Sequence, residues 1–205
     1  PNPRTLHPNV VCDFVDSMFL NFSRKARLSN FPFNILFRYE ASRMKRHEAR
    51  ICEQLEVTCC VSKIDTEFIG RQCIAISLGV TPSPIMKDIA KKKCNTKIVF
   101  SGSLNYQPNI TAIKWFLSDV FPYLIQEHKD LIFSIVGRNA SQRLIDELSS
   151  LKNVNYIGEV PDMFEELIQH DIAIAPMVSG SGMQFKILEA MSVGLPVVAT
   201  KLGRG

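Results

Sequence analysis

From residue 97 onward the chain alternates between short apolar runs and amphipathic stretches. The runs are KIVFSG (97–102), LIFSIVG (131–137), NVNYIG (153–158), DIAIAP (171–176) and LPVVAT (195–200). Between them, 109–127, 141–151, 161–170 and 183–193 carry apolar residues at helical spacing. Alternation of this kind implies parallel strands joined by crossover helices. The runs are apolar throughout, as strands are when helices cover both faces of their sheet. Ser141 is the expected N-cap of its helix, and Pro161 is expected in the first turn of the next.

In an open α/β sheet, ligands bind beyond the carboxyl ends of the strands. Those ends carry Gly102, Gly137-Arg138, Gly158-Glu159 and Ser179–Gly182. The segment GSGMQFKILEAMSVGLPVVAT (180–200) adds a glycine-rich loop that opens a helix. Backbone N–H groups at such a start form an anion site. Lys186 and Glu189, three residues apart, share a helical face. They suit a nucleotide-sugar, the cation for phosphate and the carboxylate for hydroxyls. They equally suit a surface ion pair on an ordinary crossover.

Residues 1–96 are less regular. NVVCDFVDS (9–17), VTCCVS (57–62) and CIAIS (73–77) read as strands, with Asp13 and Asp16 leaving the first. Residues 35–56 read as a basic amphipathic helix with Ile35, Leu36, Tyr39, Ile51, Cys52 and Leu55 as apolar positions. The expected organisation is a partial domain over 1–78, a linker over 79–96 and a second domain over 97–205.

Residues 1–96 hold 15 Lys+Arg and 9 Asp+Glu, whereas 97–205 hold 9 and 11. Arg38, Arg43, Lys45, Arg46 and Arg50 cluster, as do Lys91–Lys93. A basic helix lies on an anionic surface or is simply solvated, and no nucleic-acid motif accompanies it. No run of 18 apolar residues exists, and the first residues lack a signal-peptide pattern. The six cysteines show no C-x-x-C spacing and no zinc-ligand histidine, so a reduced, cytoplasmic chain without a metal site is expected. The four histidines are scattered and are expected at surface or packing positions.

In order along the chain, IVFSGSLNYQPNITAIKWF, FSIVGRNA, YIGEVPDM and GSGMQFKILEAMSVGLPVVAT resemble the C-terminal domain of glycosyltransferase family 4. DFVDS, RYEASRMKRHEAR and VTCCVSKIDTEFI resemble the back half of its N-terminal domain. The likeness is greatest to sugar transferases of bacterial exopolysaccharide loci. It implies the GT-B fold, two Rossmann-like domains, with both ends of the family's length missing from this chain. It also implies transfer of a hexose from a nucleoside diphosphate sugar, with retention, to a glycan or lipid-linked acceptor, without metal or other cofactor. Peripheral membrane contact through the basic helix 38–50 follows from the same likeness.

By that likeness Glu189 holds ribose hydroxyls and Lys186 lies near the diphosphate. Ser181, Gly182 and Met183 meet phosphate or sugar oxygens. Gly137, Arg138, Gly158, Glu159 and Val160 border the base, and Gly102 and Ser103 form a loop that commonly carries a basic residue. Two departures stand out: Ser181 replaces the family's first motif glutamate, and Ser103 replaces an arginine. Two other readings use the same fold: a nucleotide-sugar epimerase, and a nucleotide-sugar-binding fragment without turnover.

Overall fold

The computed structural model describes residues 10–70, 73–84, 86, 96–180 and 184–203. It divides into two compact units, one of residues 1–78, 179–183 and 205, the other of 79–178 and 184–204. The linker expected over 79–96 falls mostly on 85 and 87–95, outside the described residues.

The first unit runs β1 (Val11–Asp13), α1 (Met18–Leu28), α2 (Phe33–Gln54), β2 (Val57–Cys60), α3 (Lys63–Ile69) and β3 (Cys73–Ala75). The strands form a parallel sheet in the order β1-β2-β3. Its core joins Cys52, Cys60, Ile69 and Cys73, with Phe14 packed against them. The cysteines act here as small hydrophobes. Burial pushes the Cys60 thiol up and the Cys73 thiol to about 12, so both are held protonated.

The apolar pattern does not anticipate α1. Its start is set by Ser17, whose hydroxyl caps the helix by accepting from the Leu20 N–H. Ser17 also donates to the buried Glu48 (3.1 Å), and Glu48 accepts from the Phe19 N–H (3.0 Å). Burial raises the Glu48 carboxyl, and these hydrogen bonds oppose the rise. Val15 sits in the turn before α1 at φ 61°, a strained conformation for a β-branched side chain. Its N–H donates to Asp13 (2.8 Å), and its carbonyl accepts from Val61 (2.9 Å).

Helix α2 corrects one expectation. Ile35, Leu36 and Tyr39, read as its apolar positions, are all more than half exposed, whereas Ala41, Glu48 and Cys52 are buried. Its N-terminal turns thus present apolar and basic side chains together on the surface.

The second unit runs β4 (Lys97–Ser101), α4 (Gln107–Asp119), α5 (Phe121–Glu127), β5 (Ile132–Val136), α6 (Gln142–Ser149), β6 (Val154–Gly158), α7 (Met163–Leu167), β7 (Ile172–Ala175), α8 (Phe185–Ser192) and β8 (Val197–Ala199). The strands pair parallel in the order β6-β5-β4-β7-β8. Alternate residues of the central strands face opposite layers. Phe100 and Phe133 pack with Ile113, Phe116, Phe121, Leu144 and Leu148 from α4, α5 and α6. Val99 and Val136 pack with Leu167, Ala190, Val193 and Leu195 around α7 and α8. Phe116 and Phe133 meet as tilted rings 4.9 Å apart, a favourable aromatic geometry.

Two helix boundaries differ from expectation. The helix expected over 109–127 is two helices that break at Val120, because Pro122 lacks an N–H and crowds the preceding turn. Pro161 precedes its helix, and Asp162 is the N-cap, accepting from the Phe164 and Glu165 N–H groups. Ser141 caps α6 as expected, accepting from the Leu144 N–H. Phe133 is fully buried at the centre of the aromatic layer. Phe133→Ala is expected to lower unfolding free energy by about 3–5 kcal/mol in urea titrations followed by circular dichroism.

Candidate functional site

Chain order and strand order together locate one special place in the larger sheet. From β4 the chain moves outward through β5 to β6, then returns to lay β7 on the other side of β4. The reversal at β4 and β7 is a topological switch point, the place where open α/β sheets as a class bind their ligands.

Tight backbone packing builds the floor of that edge. The Gly102 N–H donates to the Val136 carbonyl (3.0 Å), Leu104 to Arg138 (2.8 Å) and Gly137 to Gly158 (2.8 Å). A Cβ at Gly137 would lie 1.9 Å from the Gly102 oxygen, so only glycine permits this approach.

Lys186 projects from α8, whose apolar residues pack on one layer, yet its ammonium reaches groups of the other. It donates to the Asn109 side-chain oxygen (2.8 Å) in the first turn of α4. It also lies 3.9 Å from the centre of the Phe100 ring. The stem therefore crosses the end of β4. Gly102 keeps that route open, since a Cβ there would stand 3.0 Å from the ammonium and 2.8 Å from the Asn109 amide nitrogen. The Asn109 amide donates in turn to the Ser103 carbonyl (2.9 Å).

This enclosure acts on charge. Burial lowers the Lys186 ammonium to about 7, opposed by the attraction of Glu189. Burial raises the Glu189 carboxyl, opposed by Lys186. Between about 7 and the ordinary lysine value of 10.5, the folded site binds fewer protons than the unfolded chain. The site's contribution to stability therefore grows as pH rises through that window, and decreases as pH falls through it. A desolvated cation that is costly to keep charged alone gains from any anion brought beside it.

The structure places the other expected site residues as follows. The Ser103 hydroxyl donates to the Asn105 side chain (2.8 Å). The Arg138 side chain and Glu159 are exposed, and Val160 packs on the layer of α7 and α8. Gly158 takes φ 86° and Gly180 φ 98°. Ser181, Gly182 and Met183 lie outside the described residues. Asn109 and Phe100 are additions that spacing does not reveal, because 77 residues separate Asn109 from Lys186. Among the described residues, no group of three or more His, Cys, Asp or Glu is placed to hold a metal ion.

Comparison with known proteins agrees with this architecture. A family model described as "Glycosyl transferases group 1" matches residues 95–205. A 44.6 kDa protein of the cps region of Klebsiella pneumoniae is 32% identical over 151 residues, 66% of this chain and 39% of that protein. The phosphatidyl-myo-inositol mannosyltransferase of Mycobacterium leprae is 29% identical over 89 residues, 42% of this chain and 24% of that enzyme. The chain thus spans well under half the length of these curated relatives. The crystal structure of HepE from Anabaena in complex with UDP and glucose matches with a TM-score of 0.65 at 15% identity, covering 94% of this chain and 53% of that one. The fold is that of a GT-B glycosyltransferase fragment with Rossmann-like parallel sheets.

The electrostatics can be measured directly. In lysine-labelled protein, the Lys186 side-chain carbon resonance is expected to titrate with a midpoint near 7. Glu189→Gln removes the attraction that favours the charged form, so it should move that midpoint lower. A midpoint in the ordinary lysine range in the folded protein would contradict the described enclosure.

Proposed function

Because the chain belongs to the group 1 glycosyl transferases, we propose that it carries the donor-binding part of a retaining hexosyltransferase of glycosyltransferase family 4. The observation that carries the reading is the Lys186 ammonium held across the end of β4 at the switch point, with Glu189 one turn along α8. The donor is a nucleoside diphosphate sugar, with UDP as the first candidate because HepE was crystallised with UDP and glucose. The acceptor is a glycan or a lipid-linked glycan. A role in cell-surface polysaccharide synthesis draws support from the relative in the cps region.

In this reading the bond between the anomeric carbon and the β-phosphate oxygen breaks, and the diphosphate leaves with the electron pair. The acceptor oxygen bonds the anomeric carbon, and its proton leaves with the diphosphate. Charge develops on the leaving group, where a preorganised cation stabilises it more than it stabilises the ground state. Lys186 supplies that cation, and the diphosphate adds counter-charge to that of Glu189. Glu189 orients sugar or ribose hydroxyls. Metal is not required, since the positive charge is built into the chain.

Calorimetric titration of the chain with UDP tests this. Binding is expected to persist in EDTA and to weaken at least tenfold in Lys186→Ala and in Glu189→Ala. It should weaken as pH rises from 7 to 9, because Lys186 must take up a proton to bind. Absence of UDP binding by the folded chain, or a strict magnesium requirement, would overturn the assignment.

A second feature concerns location. At the turn joining α1 and α2, Leu28, Phe31, Phe33, Ile35 and Leu36 are all more than half exposed, with Phe31 at 78%. Basic residues flank them, and Arg43, Arg46, His47 and Arg50 line a groove farther along α2 with Tyr39 and Met44. Apolar side chains among cations suit the headgroup layer of an anionic membrane, and we propose peripheral contact there. No helix among the described residues is long and apolar enough to cross a membrane. Cosedimentation with vesicles containing phosphatidylglycerol should exceed that with phosphatidylcholine alone and should drop in the Phe31→Ser/Phe33→Ser double variant. Equal sedimentation with both lipids would remove the proposal.

A further inference from the structure

We propose that Asn109 is a positioning residue for the donor diphosphate: it holds the Lys186 side chain at the switch point, so that its terminal nitrogen is in place to meet the diphosphate. The inference rests on the diphosphate reading of Lys186 and adds a residue from a different element.

The geometry is specific. Asn109 is 6% exposed and sits in the first turn of α4, beyond the end of β4. Its two side-chain ends are committed to different tasks. The amide nitrogen donates to the Ser103 carbonyl (2.9 Å), which ties the side chain to the loop leaving β4. That bond assigns the amide orientation and leaves the oxygen to accept from Lys186 at 2.8 Å. A leucine of similar size would fill the volume but present no acceptor.

A lysine stem is flexible and loses rotamer freedom when fixed in one pose. A buried hydrogen bond from an ionised donor offsets that loss. From β4 the ammonium faces the Phe100 ring, whose quadrupole favours a cation. The residue shown to act on its charge is Glu189, on its own helix. Asn109 is thus a neutral acceptor from the opposite layer. It favours the charged form of Lys186 without adding negative charge that would repel a diphosphate. Aspartate there would add that repulsion and would lose the donor to Ser103.

The test uses the 205-residue chain as wild type, Asn109→Ala and Asn109→Leu, with folding verified by amide NMR spectra. If Asn109 stabilises the ammonium by about 1.4 kcal/mol, the Lys186 midpoint moves from about 7 to about 6 in both variants. UDP affinity then falls about tenfold at pH 8 but only about twofold at pH 6, where the variant Lys186 is still about half protonated. A purely structural role would cost the same affinity at both pH values. The proposal is overturned if the Lys186 midpoint is unchanged in a folded variant, or if the loss of affinity is independent of pH. Failure of the wild-type chain to bind UDP would instead sink the nucleotide reading. The NMR titration decides in that case whether Asn109 holds the ammonium.

Discussion

A parallel sheet has to be covered on both faces, and most of the larger unit follows from that requirement. Every crossover places a helix on one layer or the other, so strands such as β4 and β5 must be apolar on both sides. Ile98 and Phe100 face one layer while Val99 faces the other. Because the strands are parallel, their carboxyl ends gather along one edge. The return of the chain to place β7 beside β4 then parts the loops at a single point on that edge. That parting of the loops is a consequence of connectivity, and the residues there come from segments far apart in sequence.

Lys186 makes use of the edge in a way that costs stability. A cation surrounded by an aromatic ring, an amide and backbone is poorly solvated, and burial accordingly draws its protonation down toward neutrality. Glu189 offsets only part of that cost, and natural proteins accept costs of this kind at functional positions. The glycines at the edge belong to the same arrangement. Gly137 allows two strand ends to meet, and Gly102 leaves the passage through which the lysine stem runs. Each is explained by what stands opposite it.

The strands and most helices of the larger unit are legible in the sequence because burial on both faces leaves a continuous apolar signal. Helix boundaries are less legible. Pro122 acts by lacking an N–H and Asp162 by accepting from two, local effects that periodicity does not register. In the smaller unit, α1 escapes the pattern because only Leu20 and Ala26 along it are buried. Ile35, Leu36 and Tyr39 mislead for the converse reason: helical spacing of apolar residues marks a face without showing what covers it. Lys186 and Glu189 could be singled out because one helix carries both. Asn109 could not, since nothing in YQPN announces a partner on another helix.

The sequence by itself determined the class of fold, the parallel direction of the strands and a likeness to glycosyl transferases, because these rest on local periodicity, turn residues and motifs that keep their order along the chain. Only the tertiary structure decided which layer each helix covers, that the Lys186 ammonium crosses the end of β4, and that Asn109, Phe100 and Gly102 shape its surroundings. Those facts depend on strand order and on side-chain reach across the sheet edge. The charge state of Lys186 belongs with them, because desolvation is a property of the folded surroundings and not of the residue.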